Sequence, residues 1–108
     1  MATDRFDKSR NQYIDYKLYL ERRRGNHYYN LGYASYDAMV KNPPSDLDNI
    51  EDAFKNFEIA LLFNSHDVDA KKRQDEMCDK WGEVPGFTKA QITDWKAEAK
   101  QQYKCLIC

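Results

Sequence analysis

The fold is decided by residues 47–63, LDNIEDAFKNFEIALLF, where large apolar side chains recur at helical spacing. Their intervals are three, four, three and four residues, which is the period of an amphipathic helix without a slip. A second apolar side follows near the end, so we expect this helix to be covered from two directions and to form the centre of the core. The two sides consist of Leu47, Ile50, Phe54, Phe57, Leu61 and of Ile59, Leu62, Phe63.

Two helices are predicted before this stretch. The first occupies residues 1–24 and ends at Arg22-Arg23-Arg24-Gly25, because cations favour the carbonyl end of a helix and glycine favours its left-handed cap. Asn26 then caps a second helix, which ends before the proline pair that follows residue 42. The arginine triplet also allows an alternative use as a phosphate-binding patch. The apolar stripe of the first helix is Phe6, Tyr13, Tyr16 and Leu20.

Helix start signals place the remaining boundaries. Ser45 with Asp48 resembles a capping box, Ser65 can cap a fourth helix over residues 66–82, and Thr88 begins a fifth over residues 88–106. No stretch alternates apolar and polar residues as a half-buried strand does. We therefore predict one all-α domain over residues 1–108, built from about five helices.

Small and aromatic residues recur at defined spacing within residues 26–65. They form the patterns Tyr-x-x-Leu-Gly and Ala-x-x-x-Phe-x-x-Ala, at Tyr28, Leu31, Gly32, Ala53, Phe57 and Ala60. The combination resembles one tetratricopeptide repeat (TPR), a pair of helices that pack through such residues. From the residues alone, Gly32 and Ala53 are small because the two helices touch there, and Phe57 fills the space beside them. The resemblance implies antiparallel helical hairpins in a TPR-like right-handed stack.

The match departs from the family in three places. Ser35 stands where an aromatic is usual, Ser65 replaces the final proline, and the link between Gly32 and Ala53 is about nine residues longer. A single repeat cannot bury its faces alone, so residues 1–24, 66–82 and 88–106 are expected to flank and cap it, unless another protein does so. The family implies peptide or protein binding on a concave face, but no peptide-clamp residue can be transferred from one repeat.

Charge and residue types exclude several classes of function. With 17 basic and 18 acidic residues, the chain lacks the basic excess of a nucleic-acid binder. It has no glycine-rich phosphate loop, no paired-histidine zinc motif around His27 or His66, and no nucleophile elbow. Acid pairs such as Asp67 and Asp69 are better explained as helix caps. We predict no enzymatic activity, no cofactor and no metal site.

The cysteines leave three interpretations open. The chain ends Lys104-Cys105-Leu106-Ile107-Cys108, which matches a prenylation pattern at Cys105, although a final cysteine is unusual there. The pair Cys105 and Cys108 could bind metal or cycle through a disulfide, although zinc would need two more ligands, for which only Cys78, His27 and His66 remain. In the third interpretation, Leu106 and Ile107 are simply the apolar end of the last helix, docked on the core.

The sequence also predicts a compartment. Three cysteines, counting Cys78, are too few for a disulfide framework, and residues 1–10 lack the apolar run of a secretory signal. No apolar run of about 18 residues is present to cross a membrane. We expect an intracellular, reducing compartment, the cytoplasm.

Together these observations predict a non-catalytic protein–protein interaction module, a TPR-like adaptor or scaffold. The exposed members of its eight tyrosines and the face of the second helix are its expected contacts with another protein or protein complex. One alternative is a structural accessory subunit of a large multiprotein complex. A further alternative is a prenylated adaptor at a membrane surface. Nucleic acid is not an expected partner, and a membrane is one only if Cys105 is prenylated.

Overall fold

A computed structural model describes the backbone of residues 2–107 and the side chains of residues 19–107. Within that part of the chain it contains four α-helices and no strand, which confirms the all-α class. The apolar stripe predicted for Phe6, Tyr13 and Tyr16 lies outside the described side chains. The helices are α1 (Ala2–Lys41), α2 (Asp48–Phe63), α3 (Val68–Trp81) and α4 (Lys89–Ile107).

The predicted helix boundary at Gly25 is wrong, because α1 continues through it for 40 residues. Gly25 is buried against α2 instead of ending a helix. A Cβ atom built on it would lie 3.4 Å from the Ala60 carbonyl oxygen and 3.4 Å from the Phe63 Cβ. Glycine serves there to let two helices approach closely. Four helices therefore replace the five that the sequence predicts.

The predicted central position of α2 is confirmed. The other three helices all pack against it. Its two apolar sides enter two buried clusters, one shared with α1 and α3 and with Trp95 of α4, the other with Ala99 of α4. Leu47 and Leu61, at the two ends of the stripe, are only half-buried. The buried residues of α2 are Ile50, Ala53, Phe54, Phe57, Ile59, Ala60 and Phe63.

The helix α2 begins later than the predicted cap at Ser45. It starts at Asp48, and Leu47 at its N-cap position forms no side-chain capping bond. The Asp46 Oδ1 atom accepts a hydrogen bond from the Asp48 backbone N at 3.0 Å. A carboxylate that bonds to a backbone N–H two residues later stabilises a turn, so Asp46 replaces the expected capping box.

The predicted cap of α3 is also displaced, whereas that of α4 is confirmed. Asp67, not Ser65, caps α3 and accepts a hydrogen bond from the Ala70 N at 3.0 Å. A carboxylate at this position gains from the helix dipole, which a hydroxyl does not. At the start of α4, the Thr88 Oγ1 accepts a hydrogen bond from the Gln91 N at 3.2 Å.

The loop between α3 and α4 packs against the core through Val84 and Phe87. Gly86 has a φ of +90°, a conformation that a side chain disfavours. A Cβ there would also meet the Leu47 Cδ1 at 2.8 Å. The next residue, Phe87, is buried with its ring 5.6 Å from that of Trp95. Trp95 in turn packs on Phe54 of α2, with ring centroids 5.8 Å apart, so these rings connect the beginning of α4 to α2.

Among the described residues, no helix combines the length and the apolar character that crossing a membrane requires.

Candidate binding groove

The predicted hairpin residues do not all lie at the contact between α1 and α2. A Cβ on Gly32 would lie 3.0 Å from two ring atoms of Phe57 and 3.1 Å from the carbonyl oxygen of Ala53. Ala60 is buried and Tyr28 is half-buried in the same region. Leu31 is different: it is 43% exposed. Its helical position is one residue, or about 100°, away from Gly32, so its side chain lies on a flank of α1 instead of at the seam.

Ser35, which departs from the repeat pattern, has a specific partner. Its Oγ donates a hydrogen bond to the Asp52 Oδ2 of α2 over 2.5 Å. A short polar bridge between the two helices therefore lies where the repeat pattern has an aromatic side chain.

Aromatic side chains connect three helices beside Gly25. Tyr28 of α1 stacks on Phe63 of α2, with ring centroids 5.9 Å apart. Phe63 in turn meets Tyr103 of α4 edge to face at 4.9 Å. The close approach at Gly25 brings Tyr28 within reach of Phe63. These rings form a continuous apolar base that ends at Leu106, one helical turn beyond Tyr103.

An open groove of about 540 Å³ lies over this base. We call it the α1–α4 groove. Its floor is apolar and comes from all three helices, whereas its rim is basic and comes from α1 alone. Exposed hydrophobic surface with a polar rim is typical of binding sites on proteins. The lining residues are Leu20, Arg23, Arg24, His27, Tyr28, Phe63 and Leu106.

Three groove residues of α1 lie on one line along the helix, and Leu31 continues that line beyond the groove lining. Leu20, Arg24, His27 and Leu31 are spaced by four, three and four residues, so they share one flank of α1 over about three turns. The row is not predicted from the sequence, because the predicted break at Gly25 divides it between two helices. Its spacing is nevertheless visible once α1 is continuous.

A second cluster lies on the opposite flank of α1, where α3 packs. The Tyr36 hydroxyl donates a hydrogen bond to the Glu76 Oε2 at 2.5 Å, and the Arg73 Nη1 donates to the same oxygen at 3.0 Å. The Arg73 guanidinium also lies 5.3 Å from the ring centroids of Tyr33 and Tyr36.

The pKa values of this cluster follow from those contacts. The hydrogen bond from Tyr36 holds the pKa of Glu76 below its ordinary value, and Arg73 acts in the same direction. Burial raises the pKa of the Tyr36 hydroxyl, and the neighbouring Glu76 carboxylate adds to that effect. Because these charged groups are engaged with one another, we interpret the cluster as a connection between α1 and α3.

The cysteine region is exposed in the last turn of α4. Cys105 is a free, exposed thiol, and Leu106 and Ile107 continue the helix. Cys108, the second member of the cysteine pair, lies outside the described residues. Among the described residues, no group of three or more His, Cys, Asp or Glu side chains is placed to hold a metal ion. Ile107 is 51% exposed, so the expected docking of both end residues on the core does not occur.

Comparisons of the chain with protein-family models, with curated proteins and with solved structures give no match. The resemblance of residues 26–65 to a tetratricopeptide repeat therefore stays a prediction.

Proposed function

We propose that this chain is a non-catalytic protein–protein interaction module, a helical adaptor or scaffold that binds another protein in the α1–α4 groove. The observation that carries the proposal is the groove itself. The groove has a volume of about 540 Å³ and combines an apolar floor with a basic rim. Such a surface offers apolar area for affinity and charge for the choice of partner.

The partner surface differs from the one expected from sequence. Of the tyrosines expected to supply contacts, Tyr29 and Tyr36 face α2 and α3, whereas Tyr19 and Tyr33 are exposed but do not line the groove. The groove uses Tyr28 as part of its floor, and aliphatic residues at both ends. The adaptor proposal therefore rests on the flank of α1 that carries Leu20 and Leu31.

An affinity-capture experiment with matched variants tests this function. Leu106 lies in the groove and is 38% exposed, so Leu106→Asp changes the groove with little loss of core packing. Val68, which is 76% exposed at the start of α3, supplies the control Val68→Asp. We expect the wild type and Val68→Asp to retain the same proteins from an extract of the chain's own cells. Leu106→Asp should lose them.

Identical sets of captured proteins from all three forms would contradict the proposal. Circular dichroism of each variant must first show unchanged helix content, so that a loss reports on the groove and not on folding.

A structural accessory subunit is the second candidate. It is favoured by exposed apolar side chains away from the groove, such as Val40 and Val68. Larger chains packed around the molecule would cover them. In that case the isolated chain should aggregate or unfold at modest temperature, whereas an adaptor should melt in one cooperative transition. Thermal melting followed by circular dichroism and light scattering separates the two.

A further inference from the structure

The rim of the α1–α4 groove carries charges that nothing in the described part of the chain neutralises. The basic residues that form ion pairs within residues 19–107 lie outside the groove and are Lys41, Lys55, Lys71 and Arg73. Arg23 and Arg24 form none with the carboxylates of residues 19–107, and both are exposed. Cations that remain unpaired around an apolar floor attract a partner with negative charge and repel one with positive charge.

The shape of the groove indicates a segment with some length. The lining residues Leu20, Arg24 and His27 extend the groove along α1 for about two turns, and the exposed Leu31 continues the same flank for one more turn. Leu31 is exposed, and Leu106 stands across the groove at the end of α4. An amphipathic helix laid in such a groove presents apolar anchors at the same spacing of three and four residues.

We infer that the α1–α4 groove binds an acidic amphipathic helix of another protein. Its apolar side chains contact Leu20, Tyr28 and Leu106, and its carboxylates pair with Arg23 and Arg24. The imidazole of His27 can donate a further hydrogen bond to a carboxylate. This inference rests on the proposed function and specifies the chemistry of the partner.

A fatty-acid carboxylate shares this chemistry but fits the geometry less well. Sites for small amphiphiles enclose most of the surface of the ligand. Here the rim residues Arg23, Arg24 and His27 are exposed, and Leu106 is partly so. An open groove beside an exposed row leaves one side of the ligand in water, as a docked helix requires.

Fluorescence anisotropy with two designed peptides tests the inference on the full chain. The first, of about 16 residues or roughly four turns, carries leucines at spacings of three and four with glutamates beside them. The second has lysine in place of every glutamate. We expect the wild type to bind the glutamate peptide about tenfold more tightly, the sum of several exposed charge pairs. Added salt should reduce that ratio.

Two arginine substitutions provide the matched variants. Arg23→Glu with Arg24→Glu reverses the charge of the rim and should invert the preference between the peptides. Arg22 precedes them in sequence but does not line the groove. Its helical position is on the flank of α1 that faces away from Leu20 and Arg24. Arg22→Glu should therefore leave the ratio of the two affinities within about twofold of the wild type, since exposed charges are screened.

Three results would overturn the inference. The first is equal binding of both peptides, or binding of neither. The second is palmitate binding that the double arginine variant abolishes, together with no peptide binding, since a free amphiphile would then be the ligand. The third is a homodimer in sedimentation analysis that Leu106→Asp dissociates, since a second copy would then occupy the groove.

Failure of the inference is distinguishable from failure of the proposed function. If the capture experiment shows a partner that depends on Leu106 but not on Arg23 and Arg24, the interaction module stands and the acidic helix does not. If no captured protein depends on Leu106, the proposed function itself fails.

Discussion

Two glycines of α1 lie at different distances from α2, so we expect substitution by alanine to change the stability in opposite directions at the two positions. A Cβ on Gly25 would make contacts of 3.4 Å, near the ordinary van der Waals distance, whereas one on Gly32 would be 3.0 Å from the Phe57 ring. Alanine in the middle of a helix gains about 0.5–1 kcal/mol over glycine. We expect Gly25→Ala to be neutral or to stabilise the protein by up to that amount.

Gly32→Ala should instead destabilise the protein by about 1–2 kcal/mol. Its methyl group must displace Phe57, which is fully buried, and crowding in a packed core exceeds the gain in helix propensity. Urea unfolding monitored by circular dichroism measures both free energies. Equal effects of the two substitutions would mean that α1 and α2 do not approach most closely at Gly32.

The carboxylate of Glu76 gives the connection between α1 and α3 a defined pH dependence. Its pKa is lowered in the folded protein, first by the hydrogen bond from Tyr36. The stabilisation is therefore present above the unfolded pKa of about 4.3 and is lost as the pH falls through the lower folded value. Glu76→Gln should cost about 1 kcal/mol at pH 7, since a charged hydrogen bond at a partly exposed site is weakened.

The difference in the free energy of unfolding between wild type and Glu76→Gln should shrink as the pH falls below the folded pKa of Glu76. Asp75→Asn is the matched control, because the Asp75 Oδ1 pairs with the Lys71 Nζ at 3.5 Å with both side chains largely exposed. Such a pair contributes little. Guanidinium unfolding at several pH values checks the prediction, and a gap that persists unchanged in acid would contradict it.

At the scale of elements, the continuity of α1 through Gly25 is what brings the two halves of the groove row together. His27→Pro tests it directly. In a helix that began after Asn26, proline would occupy the first helical position, where it is tolerated. In a continuous helix it removes a backbone hydrogen bond and clashes with the preceding turn, at a cost of about 3 kcal/mol.

We expect the larger cost, with reduced helicity in circular dichroism. His27→Ala removes the same imidazole while it retains the backbone bond, and should leave the free energy of unfolding within about 0.5 kcal/mol of the wild type. If both variants unfold like the wild type, the helix is broken at Gly25, as the sequence predicts.

How far the sequence predicts each element depends on whether its signals have one meaning. The apolar stripe of α2 has one meaning, because Ile50, Phe54 and Phe57 at strict helical spacing indicate a buried helix face. Gly25 has two possible meanings, since glycine ends helices and also permits close helix packing. The arginines before it favour a helix end. The burial against Ala60 that decides between them is a tertiary contact, absent from the local sequence.

The groove could not be predicted for the same reason. Leu20 and Leu106 are far apart in the sequence and line the same groove because α1 and α4 both pack against α2. Their apolar character is visible in the sequence, but their separation is not. Local patterns therefore predict most of the helices, whereas the binding surface depends on how three of them pack.

For the whole molecule, α1 determines the shape, and solution scattering can measure the consequence. A helix of 40 residues spans about 60 Å, which accounts for most of the 64 Å length of the molecule. The Cα radius of gyration is 17.3 Å, whereas a compact chain of this size has about 13 Å. We expect small-angle X-ray scattering of the monomeric fraction from a sizing column to give a value near 17 Å. If α1 instead folded back at Gly25, the first helix would carry Leu20 and Arg24 away from His27 and Tyr28, and the radius would fall toward 13 Å. A compact monomer would thus remove both the extended shape and the open groove, because the same continuous helix produces them.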